Sequence, residues 1–457
     1  MLKKGFLSVA LFLGFLCLSS SLFAQSQHFR LGKSLDIQLN VLRELSVLYV
    51  DTLDLDKILL SSTESMLQSL DPYTVLIREE DNENLEMMTT GSYGGVGAMI
   101  RKDSTGGVLI TEIYENSPAH KYGLSAGDVI LYIDTTCVKN LKIDECSSMM
   151  KGVAGSKVKF RVKRFRTAQV EDIILTRERI HFPDVVYSGF VNDTTGYIRI
   201  TGFTVGGSSD VRKALLKLKE SDSLKKLVID LRGNGGGILD EAVGIVSLFV
   251  PRGTTVVSSL GKYKPADIVY KTKEEPVDLD LPITVLVNSG SASASEIVAG
   301  ALQDLDRATI VGTRTFGKGL VQSIRDVGYN HKIKLTTAKY YIPSGRCIQA
   351  IDYSHKNEDG SVASVPDSLM KEFKTVGGRT VYDGGGIMPD IVVDQKIYSR
   401  PVVSLIYSDI LNDYSMLYYK ENLSISAPRE FSLTDQEYDM FVTWALDKDF
   451  DYRSTSE

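Results

Sequence analysis

The sequence predicts a multidomain α/β protein, in which a β/α core carries an inserted β-rich module and a helical N-terminal arm. From about residue 181, apolar strands alternate with amphipathic helices, which is typical of a parallel sheet covered by helices. Between about 91 and 179, glycines separate short strands, as in a small β-rich domain. A chain of 457 residues is too long for one ordinary core, so several folded units are expected.

The first residues have the composition of an export signal. A basic start is followed by a largely apolar run over 6–18 and by small or weakly polar residues up to Ala24. We therefore predict a signal peptide over 1–24 and a periplasmic or secreted location, with no stable membrane span after signal removal. The apolar run is shorter than the roughly 20 residues of a membrane helix, and a retained N-terminal anchor is the alternative interpretation.

The next two segments differ in periodicity. Residues 25–90 are predicted to form a helical arm, because apolar side chains between Leu35 and Leu45 recur three or four positions apart. Residues 91–179 are predicted to form the β-rich module, with one helix near 142–151. Together these features predict a small β-rich module with one helix.

The core is predicted over residues 180–396. Its expected strands are 196–200, 227–231 and 283–287, and its expected helices are 208–219, 239–248 and one starting near Ala294. In such sheets the loops after the strand C-termini hold the chemistry. Residues 397–457 are predicted to form a helical C-terminal extension.

Composition excludes several functions. A net charge of -6, a pI near 5.6 and the absence of a basic cluster argue against nucleic acid as a partner. Cys17 lies in the predicted signal, so an odd number of cysteines remains, which is no disulfide framework. No Cys/His spacing suggests a zinc site, and we expect neither a metal nor a cofactor.

A serine-rich turn is the first candidate for chemistry. The sequence VNSGSASASEIVAG at 287–300 takes a buried strand through small residues into a helix. The inward stripe of that helix is expected to include Ile297, Val298, Ala301 and Leu305. A serine in such a turn lies where backbone N–H groups and the helix dipole can stabilise an oxyanion. A serine that merely caps the helix is the alternative.

A lysine between two glycines is the second candidate. Lys318 lies in GTRTFGKGLVQ at 312–322, behind an apolar strand at 308–311. A close backbone environment can desolvate such an amine and favour its neutral, basic form. If the segment is extended, Gln322 points to the same side and could orient the amine. A solvated loop lysine is the alternative, and no histidine lies in a recognisable serine-hydrolase turn.

Together these stretches resemble the catalytic region of the carboxy-terminal-processing, or tail-specific, proteases. Lys318 lies 25 residues after Ser293, as it does in that pattern. Four further segments are similar to family motifs: LDPYT at 70–74, DLRGNGGG at 230–237, TTAKYYIPSGR at 336–346 and GGGIMPD at 384–390. The likeness extends over roughly residues 70–395. An ordered series of motifs is far more specific than any one of them.

The resemblance implies a role for each matching residue. Ser293 matches the nucleophile, Lys318 the general base and Gln322 the group that orients the base. The backbone N–H groups of Ala294 and Gly236 match the oxyanion donors, while Ser291 and Ser295 are expected to be structural. The glycine-rich loop departs from the family pattern at Gly233 and Gly235, where asparagine and proline are usual, so the resemblance does not fix which N–H of this loop points at the oxyanion. Asp304 matches a further acidic position of the family. The sequence is compatible with a structural role for it and with a solvated charge near a helix end.

The β-rich module resembles a PDZ domain. Its most specific marks are ENSPA at 115–119 and GLSAGDVI at 123–130. Val96, Gly97 and Ala98 match the loop whose backbone amides hold a peptide's terminal carboxylate. The resemblance therefore implies protein or peptide substrates with an exposed C-terminus. The side pocket of the module would be lined by Met99 and by the helix near Ile143 and Met150, which suggests an apolar last residue.

The function expected from the sequence is a serine endopeptidase that recognises substrate C-termini and cuts with a Ser-Lys(-Gln) centre. One alternative is a catalytically inactive PDZ-containing adaptor, against which the joint presence of Ser293, Lys318 and Gln322 counts. Another keeps the enzyme but makes short peptides its substrates, as in tricorn-like relatives. The terminal helical segments are candidates for contacts in a homo-oligomer.

Overall fold

The computed structural model describes residues 28–103, 105–356, 362–393, 398–422, 424–427 and 430–448. The predicted signal peptide over 1–24 lies outside these residues. Of the described residues, 28–76, 324–327 and 331–335 belong to one compact unit and the others to a second. The predicted fold class is confirmed, with N-terminal helices, a β-rich module and a β/α core.

The first unit is mainly helical. Helix α1 covers 28–48, and α2 (Leu55–Gln68) begins after Asp54, whose carboxylate accepts a hydrogen bond from Lys57 N at 3.0 Å. The following turn depends on Asp71, which accepts hydrogen bonds from the backbone of Thr74 at 2.8 Å and from its hydroxyl at 2.9 Å. This explains the aspartate in the LDPYT motif, because a short acceptor side chain closes the turn that leads into β1 (Val75–Ile77).

The β-rich module has its own sheet and core. Its elements are α3 (Asn82–Thr90), β2 (Ser92–Gly95), β3 (Ala98–Lys102), β4 (Val108–Ile113), α4 (Pro118–Lys121), β5 (Val129–Ile133), β6 (Thr136–Cys137), α5 (Ile143–Met150), β7 (Lys157–Lys163), β8 (Val170–Thr176) and β9 (Glu178–His181). The strand order is β3-β4-β5-β7-β8, with β6 beside β5. Strands β2 and β9 form a separate antiparallel pair through which the chain enters and leaves the module.

The remaining elements build the core and the C-terminal helices. They are β10 (Val185–Asn192), β11 (Thr195–Ile200), α6 (Gly207–Lys219), β12 (Lys226–Asp230), α7 (Leu239–Ser247), β13 (Thr255–Gly261), β14 (Ile268–Lys271), β15 (Ile283–Val287), α8 (Ala294–Asp304), β16 (Ala308–Gly312), β17 (Leu320–Gly328), β18 (His331–Tyr341), β19 (Ile351–Lys356), β20 (Val362–Ser364), β21 (Glu372–Lys374), β22 (Thr380–Tyr382), β23 (Ile391–Val392), α9 (Arg400–Tyr407), α10 (Ile410–Glu421) and α11 (Asp435–Leu446).

The central sheet has the order β10-β11-β12-β15-β16-β23, and its neighbours from β11 to β23 are parallel. Helices α6, α7 and α8 pack against this sheet through one continuous apolar core. The C-terminal ends of β12 and β15 lie side by side and lead into the glycine-rich loop and the serine turn. Parallel strands end at the same edge of a sheet, which is why two distant motifs meet there.

Helix α8 differs from the prediction in one respect. The sequence pattern predicted an inward stripe of four apolar residues, but every residue from Ala294 to Asp304 is buried. A second sheet explains the difference: β13, which pairs with β14 and β18 in that sheet, packs against α8, and so does β16 of the central sheet. Its small residues, such as Gly300 with side-chain atoms of Ile342 and Ile387 beside it, allow this close packing.

Candidate active site

Ser293 occupies a strained position between β15 and α8. It is the residue before the first turn of α8, and its φ and ψ angles are 56° and -113°. A positive φ with this ψ is unfavourable for any residue with a Cβ and costs on the order of 1–3 kcal/mol. Surrounding contacts must hold the turn in this conformation, and such strain is common where a side chain is presented for chemistry.

Glu296 supplies those contacts. One of its carboxylate oxygens accepts hydrogen bonds from Ser293 N at 2.8 Å and from Lys318 N at 2.9 Å. The other accepts from the Thr315 hydroxyl at 2.6 Å and from Gly317 N at 2.7 Å. The backbones of Ser293 and Lys318 are therefore at most two hydrogen-bond lengths apart, although 25 residues separate them in sequence.

The Glu296 side chain is shielded from solvent. The side chain has no exposed surface, and burial raises the pKa of its carboxyl to about 7, against the opposing effect of its hydrogen bonds. Sequence reasoning missed this residue. The signal was present, because Ser293 and Glu296 have the S-x-x-E spacing of a capping box, in which the glutamate accepts from the backbone of the first residue.

The glycine-rich loop lies directly against the serine turn. Gly236 has a φ of 97°, and a Cβ at this position would lie 2.8 Å from Ser293 Cβ and 2.9 Å from Ala294 N. Only glycine allows this approach. The Gly236 N–H donates to Asn234 Oδ1 at 2.9 Å, so in this conformation that predicted oxyanion donor is engaged within its own loop. The assignment of the oxyanion donors to Ala294 and Gly236 stays a prediction.

The two flanking serines join this turn to its surroundings. Ser291 donates to Leu231 O at 2.8 Å and Ser295 donates to Asn234 O at 2.9 Å. Both residues are fully buried. These hydroxyls hold the serine turn to the glycine-rich loop, which agrees with the structural role expected of them.

Lys318 lies in a coil segment just before β17, and it is partly buried. The sequence argument for Gln322 assumed an extended segment from Lys318 onward, but the strand begins only at Leu320. The Gln322 amide donates to Thr336 Oγ1 at 3.3 Å. Its role in orienting the lysine amine stays a prediction.

Asp304, at the end of α8, is not a solvated charge. Its carboxylate pairs with Arg346 at 2.8 Å, and neither side chain has exposed surface. It also accepts from Ser344 N at 3.0 Å. The solvated-charge alternative is therefore wrong, because the carboxylate is paired inside the core and fixes the loop that follows β18.

The predicted peptide-binding loop connects β2 to β3. Val96 is buried, and its carbonyl accepts from Ala119 N at 2.8 Å. Gly97 has a φ of 75°, and its carbonyl accepts from the Ser117 hydroxyl at 3.1 Å. Ala98 begins β3, which leads away from the loop. Carbonyl groups are thus tied inward, and the assignment of Val96, Gly97 and Ala98 to substrate binding stays a prediction.

Two further findings concern metal-ligating side chains and membrane-spanning helices. In the part of the chain that the structure describes, no cluster of three or more His, Cys, Asp or Glu side chains is arranged to hold a metal ion. Of the helices in these same residues, none combines the length and apolar character needed to cross a membrane.

Comparisons with known proteins identify three segments. Residues 194–355 match the model of peptidase family S41, residues 84–163 match the PDZ domain, and residues 402–457 match the model described as "Probable PDZ-protease, C-terminal helical domain". The first two matches cover the serine turn, the lysine loop and the β-rich module up to the end of β7.

Relatives cover most of the chain. It is 38% identical over 306 residues to the carboxy-terminal-processing protease of Bartonella bacilliformis, which is 66% of this chain and 70% of that protein. It is 33% identical over 311 residues to a protein of Staphylococcus aureus named as a probable CtpA-like serine protease, which is 68% of this chain and 61% of that protein. Among solved structures, the photosystem II D1 C-terminal processing protease is 28% identical, with a TM-score of 0.41 over 77% of this chain and 86% of that one.

Proposed function

Because the chain belongs to the carboxy-terminal-processing proteases of peptidase family S41 and is a serine-type peptidase with a PDZ domain, we propose that it cuts polypeptides with Ser293 as nucleophile and Lys318 as general base. The observation that carries the proposal is the single Glu296 oxygen that accepts hydrogen bonds from both backbones. Glu296 brings a strained serine and a partly buried lysine together at one edge of the sheet.

The chemistry follows from a neutral amine. Lys318 Nζ takes the proton from Ser293 Oγ while that oxygen bonds to the carbonyl carbon of the substrate. Backbone N–H groups, for which Ala294 and Gly236 are the predicted donors, stabilise the oxyanion. The protonated amine gives its proton to the leaving nitrogen as the C–N bond breaks. Water, deprotonated by the same amine, then attacks the acyl carbon, and the amine returns the proton to Ser293 Oγ as the ester C–O bond breaks. The rate is expected to rise with pH as the amine becomes neutral.

Substrate capture is assigned to the PDZ domain. A peptide added as a strand along β3 would place its terminal carboxylate at the amides of Val96, Gly97 and Ala98. The tight turn at Gly97 supports this role, because hydrogen bonds from Ala119 N to the Val96 carbonyl and from the Ser117 hydroxyl to the Gly97 carbonyl fix the loop in one conformation. Substrates are therefore proteins or peptides with an accessible C-terminus.

The test uses one unstructured protein substrate with a free or an amidated C-terminus. Wild type is expected to cut the free form faster, whereas Ser293→Ala and Lys318→Ala lose at least about a thousandfold in kcat/KM. Lys318→Arg keeps the charge but cannot act as a base, so it should be equally inactive. Ser289→Ala, at an exposed serine of the same turn, is the matched control and should retain activity.

The outcomes separate the candidate functions. Full activity of Ser293→Ala or Lys318→Ala would end the catalytic assignment. Tight binding of the free C-terminus by a wild type that cuts nothing would favour the inactive adaptor. Equal rates on the two substrate forms would remove C-terminal recognition while leaving the peptidase intact.

A further inference from the structure

Tyr340 lies at the junction of the serine turn and the lysine loop. It is 1% exposed, and its hydroxyl can donate to two carbonyl oxygens, that of Ser293 at 3.2 Å and that of Lys318. Its backbone N–H donates to Gly319 O at 2.9 Å. One residue thus contacts the main chain of both predicted catalytic residues and of the glycine that follows the lysine.

The position of Tyr340 is fixed by a sheet. It lies in β18 and pairs with the buried Ser259 of β13 in the antiparallel register. Lys318, by contrast, lies in a coil segment that is not part of a sheet. The groups on either side of Lys318 are bonded elsewhere, Gly317 O to Ala350 N at 2.9 Å and Gly319 N to Gln349 Oε1 at 2.7 Å, and the phenol presented by the strand adds a contact at the Lys318 carbonyl.

The contact by Tyr340 complements that by Glu296. The Glu296 carboxylate accepts from the N–H groups of Ser293 and Lys318, and the Tyr340 hydroxyl lies against the carbonyl groups of the same two residues. The two backbones are thus connected on their donor side and on their acceptor side. Phe316 N also donates to Ser291 O at 3.0 Å, so several contacts join the lysine loop to the serine turn, and Tyr340 adds to them a side-chain contact with the carbonyl groups of both predicted catalytic residues.

We propose that Tyr340 is a positioning residue for the peptidase reaction, and that its hydroxyl sets the distance and angle between the Ser293 and Lys318 side chains. The inference rests on the proposed function, since it assumes that these two residues perform the chemistry. Tyr340 does not take part in proton transfer. Its effect is geometric, and a displacement of about 1 Å in such a pair can lower the rate about a hundredfold.

The experiment compares Tyr340→Phe with Tyr341→Phe in the substrate assay described above. Both changes remove one phenol hydroxyl from adjacent positions of β18, but only Tyr340 faces the catalytic backbones. Tyr340→Phe is expected to lower kcat about 10- to 100-fold with KM within about twofold of wild type. Tyr341→Phe should change neither constant. Both variants should melt within about 4 °C of wild type, as expected when one hydrogen bond is lost.

Each outcome decides the inference. An unchanged kcat for Tyr340→Phe would overturn it, and so would a rise in KM at constant kcat. A Tyr340→Phe chain that fails to fold while Tyr341→Phe folds would assign the hydroxyl to stability and would overturn it as well. Ser293→Ala is measured in parallel. If that variant remains active, the proposed function fails, whereas an inactive Ser293→Ala beside a fully active Tyr340→Phe rejects only the positioning role.

Discussion

Glu296 has no exposed surface and is surrounded by four hydrogen-bond donors, three of them backbone N–H groups. Burial raises the pKa of its carboxyl from 4.5 to about 7, so the folded state binds the proton more tightly than the unfolded state does. The resulting contribution to the free energy of unfolding is full below pH 4.5 and is lost as pH rises through 7. The ionised form is nonetheless the better acceptor for all four donors.

The substitution Glu296→Gln tests both properties. Relative to this variant, wild type should lose ~3 kcal/mol of unfolding free energy between pH 4.5 and 7, because the amide does not titrate. A carboxamide has one acceptor oxygen, so two donors lose theirs at roughly 1–3 kcal/mol each, and kcat should fall at least about tenfold. Urea unfolding across this pH range provides the measurement. The control is Glu220→Gln at the exposed end of α6, whose unfolding free energy should vary with pH as that of wild type does. If the unfolding free energy of Glu296→Gln varied with pH in the same way as that of wild type, the raised pKa would not belong to Glu296.

Two adjacent glycines of the glycine-rich loop differ in the space that a Cβ would find. Gly236→Ala places a Cβ 2.7 Å from Ala292 O at a φ of 97°, whereas a Cβ at Gly235 meets no atom within 4 Å. We expect Gly236→Ala to lower kcat at least about a hundredfold by displacing the loop from Ser293, and Gly235→Ala to act like wild type. Steady-state kinetics with a thermal melt of each variant provide the check. Equal activity of the two variants would show that close contact at Gly236 is not needed for catalysis.

At the scale of elements, helix α8 shows why two motifs far apart in sequence act together. Its first turn holds the lysine loop through Glu296, and its last residue holds the loop after β18 through the buried Asp304–Arg346 pair. A buried pair of this kind adds little net stability, but removal of one partner leaves an unpaired charge in the core. The helix is therefore fixed at both ends by charged side chains, and its buried length acts as a spacer between them.

The periodicity of apolar residues was sufficient to predict helices α6 and α7 of the core. The predicted helices over 208–219 and 239–248 correspond to Gly207–Lys219 and Leu239–Ser247, because an amphipathic stripe facing a sheet is visible in sequence. It was not sufficient for α8, since small residues gave no indication that a second sheet covers its other face.

The site was predictable only in part, for a related reason. The serine turn and the glycine-flanked lysine could be identified from residue type and spacing. Tyr340 could not, because alternation in a strand says which face a side chain occupies and not which backbone it reaches. Gln322 illustrates the reverse case, since its predicted orientation assumed an extended segment from Lys318 onward, whereas β17 begins two residues later, at Leu320.

At the scale of the whole molecule, the PDZ domain is joined to the core by more than a linker. Strands β2 and β9 carry the chain in and out, and Val205 N donates to Thr89 O at 3.0 Å beside them. The same loop reaches the glycine-rich loop, where Ile238 N donates to Phe203 O at 2.7 Å. The base of the PDZ domain and the loop beside Ser293 therefore share one short segment of the core.

The C-terminal helices make a second attachment to the PDZ domain. Arg101 of β3 pairs with Asp409 at 3.2 Å and with Asp413 of α10, and its side chain is 20% exposed. The Arg166 guanidinium lies over the ring of Tyr419, 4.8 Å from its centroid. The strand proposed to receive the substrate is therefore held from outside by α10.

Removal of that contact should loosen the C-terminal helices without unfolding the core. We expect Arg101→Ala to raise about fivefold the rate at which a low concentration of an added protease cleaves these helices from the chain. A fivefold change corresponds to the ~1 kcal/mol of a partly exposed ion pair. The difference should shrink in ~0.5 M salt, which screens charges beyond about 4 Å. Lys121→Ala breaks an exposed pair with Glu178 elsewhere on the PDZ domain and is the matched control. Equal release rates for the two variants at low salt would mean that the apolar and aromatic contacts of α10, and not Arg101, hold it to the PDZ domain.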